Sequence, residues 1–154
     1  WQGSFCQDII NIVEAYDIDQ SKLILEVTES MLIQDVNDAT EKLATLRNYG
    51  MHISLDDFGT GYSSLNYLRS LPIDEIKIDR SFISDLAENE QAQVMVKSIM
   101  DLASSFNLKV VSEGVETREQ IEVLSNLGTT FYQGYYFSKP VSINEFHDKY
   151  FSQE

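Results

Sequence analysis

The sequence contains one cysteine, few basic residues and no long apolar run. The single thiol of Cys6 excludes an internal disulfide and a CxxC zinc site, so we expect it to be buried or idle. Only 11 Lys and Arg residues stand against 25 Asp and Glu residues, which gives a net charge of −14. Because no basic cluster interrupts this acidic excess, we expect no DNA or RNA polymer and no anionic membrane as a partner. An anionic ligand would need metal ions as intermediaries.

No apolar stretch reaches the roughly 18 residues that a membrane helix needs, and no basic start with an apolar middle indicates a signal peptide. We therefore expect a soluble, cytoplasmic chain, whose parent protein could be anchored to a membrane through other domains. Residue 1 is Trp1 rather than an initiator methionine, so we expect the 154 residues to be a piece of a longer protein. Their number and their 43% hydrophobic content suit one domain with a sizeable core.

Short apolar runs alternate with amphipathic helical stretches along the chain. The predicted strands are KLILEV (22–27), HISLDD (52–57), DEIKID (74–79), LKVVSEG (108–114) and TTFYQG (129–134). Helical spacing of apolar residues and capping signals predict helices at 6–16, 35–50, 89–106, 117–128 and 142–151. The capping signals include Gly50 at the end of the second helix and a capping box, Thr117 to Gln120, at the start of the fourth. This alternation is typical of parallel strands with helices outside them, either in an open doubly wound sheet or in a β/α barrel.

Polar residues lie at or near the carboxyl end of every predicted strand: Glu26, Asp56, Asp57, Lys77, Asp79, Glu113 and Gln133. A barrel brings all its strand ends around one centre, whereas the outer strands of an open sheet would lie too far apart. The α/β class with a TIM-like barrel is therefore favoured. Since an eight-stranded barrel typically needs about 250 residues, we expect an incomplete barrel that lacks its first two or three strands.

The polar residues at the strand ends indicate metal-dependent chemistry. Converging carboxylates of Glu26, Asp56, Asp57 and Glu113 would suit Mg²⁺ or Mn²⁺, and two successive carboxylates can hold two ions. Such a pair of ions, with Lys77 to neutralise developing charge, predicts phosphoester hydrolysis. Taken singly, each acidic residue is better explained as a helix cap or a solvated loop charge, and it is their joint placement at strand ends that supports the metal site.

Two other interpretations of these motifs are disfavoured. The DFG triplet, residues 57–59, occurs without the HRD and VAIK segments of kinases. A phosphoacceptor receiver also carries acids and a lysine at strand ends, but here Lys77 and Asp79 share one strand instead of lying on separate strands.

Five segments together resemble, in order and spacing, the EAL domain of bacterial cyclic di-GMP phosphodiesterases: LEVTES, SLDDFGTGYSSL, IKIDRSF, VVSEGVET and YYFSKP. The resemblance covers essentially the whole chain. It implies a TIM-like β/α barrel that hydrolyses cyclic di-GMP to pGpG with two Mg²⁺ or Mn²⁺ ions.

The resemblance also implies roles for residues at the strand ends. Glu26 is similar to a metal ligand of the family, and Asp56 to the carboxylate that bridges both ions. Asp57 and Glu113 resemble ligands of the second ion. Lys77 resembles the lysine that holds the attacking water and screens phosphate charge.

Three further residues match family positions outside this metal site. Glu29 resembles the glutamate that braces the loop of residues 58–63, which in the family connects the metal site to the dimer interface. Glu116 and Gln133 are expected near the guanine of the substrate or just behind the metal site. A homodimer and regulatory domains in the parent chain are further expectations.

The sequence departs from the family pattern in one respect: it contains neither the Glu-Ala-Leu tripeptide nor the Asn-x-Ser strand, each of which supplies a metal ligand. We therefore expect residues 1–154 to be an EAL-type domain truncated at its amino end by about a third of the barrel. The parent protein is then expected to be an enzyme and this fragment alone inactive. The alternative is a non-catalytic cyclic di-GMP receptor or a protein-interaction module in bacterial signalling.

Overall fold

The computed structural model describes residues 3–33, 35–60, 65–129 and 131–151. Five strands alternate with helices in these ranges. The strands are β1 (Ile24–Thr28), β2 (His52–Phe58), β3 (Glu75–Ile78), β4 (Lys109–Glu113) and β5 (Phe131–Gln133). The helices are α1 (Phe5–Ala15), α2 (Glu29–Ile33), α3 (Val36–Tyr49), α4 (Leu65–Ser70), α5 (Arg80–Ile83), α6 (Glu90–Ser105), α7 (Arg118–Leu127) and α8 (Ile143–Tyr150).

All five strands are parallel and lie in one sheet in the order β1-β2-β3-β4-β5. The register pairs Thr28 with Asp56 and Glu113 with Gln133, so the carboxyl ends of neighbouring strands are level. Within the described residues, β1 and β5 each pair with a single neighbour. The architecture is an incomplete TIM-like β/α barrel, which confirms the fold class predicted from the sequence.

One face of the sheet packs against the helices and forms the core. Alternate residues of β2 and β3, such as Leu55 and Ile76, are buried there in one cluster with Leu43 of α3 and Val96 of α6. The opposite residues of each strand face the interior of the partial barrel, because successive side chains of a strand point to opposite sides. The core therefore fixes which residues reach the barrel interior.

The long helices begin and end where the sequence predicts, within one residue. Asp35 caps α3 by accepting a hydrogen bond from the backbone N–H of Asp38, and Gly50 ends this helix with a φ of +115°. Thr117 and Gln120 form the predicted capping box of α7. Cys6 is half-buried, and its thiol donates to the carbonyl of Lys42 at 3.5 Å.

Three short helices were not predicted: α2, α4 and α5. They contain four to six residues, too few for a helical period of apolar residues to stand out. Four of the five strands are also slightly shorter than predicted, whereas β2 extends one residue further, to Phe58. β1 begins at Ile24 because residues 20–22 form a turn of 3₁₀-helix. None of the described helices combines the length and apolar character that crossing a bilayer requires.

Candidate active site

Side chains from four strands meet at the carboxyl edge of the sheet around one ammonium group. The Nζ atom of Lys77 on β3 lies 2.9 Å from Oε1 of Glu26 on β1 and 3.3 Å from Oδ1 of Asp56 on β2. The same atom lies 2.8 Å from Oε1 of Glu113 on β4. The sheet order explains this geometry, because β3 is the central strand and a long lysine side chain reaches both neighbours and β1 beyond.

The charge of Lys77 is buried and compensated. Its side chain is only 4% exposed, and a buried ammonium is tolerated only where anions and hydrogen bonds replace its water. Burial alone would lower the pKa of Lys77, but hydrogen bonds with Glu113 and Glu26, together with nearby negative charge, raise the pKa above its ordinary value. Lys77 therefore stays protonated at neutral pH and acts as a fixed positive charge.

The backbone turns at Asp57 so that two successive carboxylates face one centre. Regular alternation along β2 would direct Asp57 away from Asp56, towards the helices. Instead, the pairing of β2 with β3 shifts register between Leu55 and Phe58, and Asp57 has a left-handed φ of +56°. Such a φ is uncommon outside glycine, although Asp tolerates it better than most residues.

Asp56, Asp57 and Glu113 form a compact group of carboxylates. One oxygen atom from each lies within 4.8 Å of the other two. Burial, followed by the charges of Asp56 and Asp79, raises the pKa of Asp57. Burial also raises the pKa of Glu113, against the hydrogen bond and charge of Lys77. Like charges held this close favour a bound cation, and a donor set of oxygen atoms alone fits Mg²⁺ or Mn²⁺ better than zinc.

Glu29 lies apart from this group, at the first position of α2. The residue is 2% exposed, and among the described residues neither oxygen of its carboxylate has a hydrogen-bond partner. Burial of a carboxylate without a hydrogen-bond partner costs free energy, so we expect a hydrogen-bond donor close to Glu29. The loop that Glu29 is predicted to brace spans residues 58–63. The structure describes its residues 58–60, whereas residues 61–63 lie outside the described residues.

A cavity of about 500 Å³ opens beside Glu113. Its walls include the two residues predicted near the substrate, Glu116 and Gln133, and three aromatic side chains, Tyr135, Phe146 and Tyr150. Arg80 and Lys139, which also line the cavity, carry positive charge. The cavity therefore offers apolar ring faces, hydrogen-bonding groups and cations next to the carboxylates, a combination that suits a nucleotide.

Some residues of the site were not predicted from the sequence. Arg80 forms an ion pair with Glu116, with 2.9 Å between Nη2 and Oε1. Its sequence signals are its place directly after the predicted strand that carries Lys77 and its position in the segment IKIDRSF, and neither of them predicts this ion pair. Gln120 was identified as a capping residue, but its contacts with α5 depend on tertiary structure and have no sequence signal.

Comparison with known proteins finds relatives over most of this chain. The sequence model of the EAL domain matches residues 2–140. A cyclic di-GMP phosphodiesterase of Pseudomonas aeruginosa is 42% identical over 146 residues, which is 95% of this chain and 25% of that protein. The chain thus spans about a quarter of the length of this curated relative.

Solved structures show the same fold. The phosphodiesterase MucR of Pseudomonas aeruginosa in complex with cyclic di-GMP superimposes with a TM-score of 0.90 at 41% identity, over 94% of this chain and 59% of that one. BlrP1 of Klebsiella pneumoniae, in a complex with manganese and cyclic di-GMP, gives a TM-score of 0.83 at 31% identity, over 90% of this chain and 35% of that one. With the family match over most of its length, the chain belongs to the EAL domain family.

Proposed function

We propose that this chain is part of a domain that hydrolyses cyclic di-GMP to linear pGpG. The observation that carries the proposal is the group of carboxylates from β2 and β4 beside a buried, protonated lysine at the carboxyl edge of the sheet. Two relatives named as cyclic di-GMP phosphodiesterases are 42% and 39% identical to this chain over 95% and 92% of its length, which supports the same substrate.

The carboxylates would hold two divalent ions, Mg²⁺ or Mn²⁺. Asp56 would serve both ions, Glu26 would bind one of them, and Asp57 and Glu113 would bind the other. When bound, the two ions would activate water and stabilise charge on the scissile phosphate. The turn at Asp57 supports this assignment because it directs two adjacent carboxylates to one centre.

Lys77 would supply positive charge beside the scissile phosphate. Its ammonium group is oriented by carboxylates from three strands, so little reorganisation is needed when negative charge develops on a phosphate oxygen. Facing the scissile phosphate, this ammonium group would act as a hydrogen-bond donor. Glu116 and Gln133 would bind the nucleotide from the adjoining cavity.

Three proposals concern the protein beyond this site. Glu29 would brace the loop that begins at Phe58, as its burial without a described partner suggests. The parent protein would act in the cytoplasm as a homodimer. Its regulatory domains would lie outside these residues.

Hydrolysis of cyclic di-GMP by the full-length protein with Mn²⁺ tests the function. We expect Asp56→Asn to abolish turnover, while Asp101→Asn, an exposed acid of α6, retains it. Turnover that survives in Asp56→Asn would refute the two-ion assignment. Binding of cyclic di-GMP without any turnover by the unaltered protein would instead favour a receptor. The 154-residue chain, assayed in parallel, is expected to be inactive.

A further inference from the structure

Glu116 lies in the short connection between β4 and α7, at the rim of the cavity beside Glu113. Its carboxylate is paired with Arg80, the first residue of α5, at 2.9 Å. Since Arg80 lines the same cavity, the ion pair joins two elements that border the proposed nucleotide site.

The aliphatic part of Arg80 packs directly on the backbone of Gly114. A Cβ atom at Gly114 would lie 2.3 Å from Cγ of Arg80, closer than any real contact allows. Gly114 also has a left-handed φ of +67°. The connection is thus shaped so that the arginine crosses it and meets Glu116, although the guanidinium itself is largely exposed.

Gln120 holds the backbone of the same connection. The residue is 5% exposed, and its amide oxygen accepts hydrogen bonds from the N–H groups of Glu116 at 2.8 Å and Thr117 at 3.0 Å. Its amide nitrogen donates to the carbonyl oxygens of Ile83 at 3.0 Å and Ser84 at 3.3 Å, at the end of α5. The two acceptor sites and two donor hydrogens of the amide are therefore all used.

We propose that Arg80 and Gln120 are positioning residues that fix Glu116 to α5, one through its carboxylate and the other through its backbone. The proposed function already gives Glu116 to nucleotide binding; held in this way, its carboxylate would be oriented to accept from the N1–H and N2–H donors of a guanine base in the cavity. A carboxylate that is already oriented loses less conformational freedom on binding, which favours affinity. This inference rests on the proposed function, because it concerns recognition of the same substrate.

The test measures KM and kcat of the full-length protein with Mn²⁺, for cyclic di-GMP and for its inosine analogue, which lacks the N2 amino group. For Arg80→Met we expect KM for cyclic di-GMP to rise about fivefold, equivalent to about 1 kcal/mol, with kcat within about twofold. The preference for guanine over hypoxanthine should fall as well. Arg118→Met is the matched control, because it removes an exposed Arg–Glu pair of α7 that lies outside the cavity.

Gln120→Glu tests the backbone contact with an almost isosteric change. The new carboxylate still accepts from Glu116 and Thr117, but it faces the carbonyl oxygens of α5, to which it cannot donate. We expect the same rise in KM and the same loss of guanine preference as for Arg80→Met. If this variant does not fold, the Arg80 variants decide the outcome.

A double-mutant cycle shows whether Arg80 acts through Glu116. If Arg80 acts only through Glu116, adding Arg80→Met to a Glu116→Gln variant should not change KM further. In the protein with Glu116 intact, Arg80→Lys should raise KM less than Arg80→Met does, because lysine keeps the positive charge. If the effects of the Arg80 and Glu116 substitutions on KM are additive, or if the variants keep the KM and guanine preference of the unaltered protein, the positioning role is refuted while the proposed function stands. A full-length protein that neither binds nor hydrolyses cyclic di-GMP would refute the proposed function itself.

Discussion

Replacing Lys77 by methionine tests whether one buried ammonium holds the strand ends together. Methionine keeps most of the side-chain volume and removes the charge. The carboxylates of Glu26, Asp56 and Glu113, which lie 2.8 to 3.3 Å from Nζ in the unaltered protein, then lose their shared counter-ion. In the absence of metal ions they would repel one another, so we expect the variant to be less stable.

The size of this effect follows from burial. Removing one partner of a buried ion pair typically costs 3 to 5 kcal/mol, but here the carboxylate of Glu26 is half-exposed and those of Asp56 and Glu113 are partly exposed. Solvent therefore screens part of the repulsion, and we expect a loss of about 3 kcal/mol. For a domain of about 150 to 250 residues that unfolds as one unit, this corresponds to a fall in melting temperature of about 6 to 12 °C.

Thermal unfolding of the full-length protein in EDTA measures this loss of stability, with Lys97→Met as the control. Lys97 pairs with Asp101 on the surface of α6, and its replacement should lower the free energy of unfolding by less than about 0.5 kcal/mol. Mn²⁺ should stabilise Lys77→Met more than it stabilises the unaltered protein, because the site has become one unit more negative. A variant as stable as the control in EDTA, or an equal effect of Mn²⁺ on both proteins, would refute the electrostatic argument.

Two further predictions concern the backbone of the site. Asp57→Asn keeps a residue that tolerates the left-handed φ and removes a negative charge beside Asp56, so the free energy of unfolding should be unchanged or slightly higher. The affinity for Mn²⁺, measured by calorimetry, should fall about tenfold or more. An unaltered affinity would show that Asp57 is not a metal ligand. Gly134→Ala would place a Cβ atom 2.1 Å from the carbonyl oxygen of Val115 and should cost about 3 kcal/mol in chemical unfolding. Gly128→Ala is its control: the space there is open and only the φ of +107° opposes it, so a cost of about 1 kcal/mol is expected, and equal costs at the two glycines would contradict the packing argument.

The strands, the long helices and the edge at which the acids gather were predictable from the sequence, because each depends on local patterns. Apolar runs define strands, capping residues such as Asp35 and Thr117 mark helix starts, and parallel strands bring their carboxyl ends to one edge. The convergence of Glu26 and Glu113 on Lys77 then follows from strand order.

The turn at Asp57 could not be predicted in the same way. Alternation along a strand assigns Asp56 and Asp57 to opposite faces, and the shift that reverses this arises from pairing with β3. The ion pair of Arg80 with Glu116 likewise depends on how α5 lies against the connection after β4. Both features need tertiary contacts between segments that are distant in sequence.

The charges of the site explain how so acidic a chain can attract an anionic substrate. Within the site, the carboxylates of Glu26, Asp56, Asp57 and Glu113 and the ammonium of Lys77 give a net charge of −3. Such a site repels a dianion. Two divalent ions would change the net charge to +1 and reverse the local field without altering any residue. If the proposed function is correct, removal of metal ions should therefore weaken substrate binding as well as turnover.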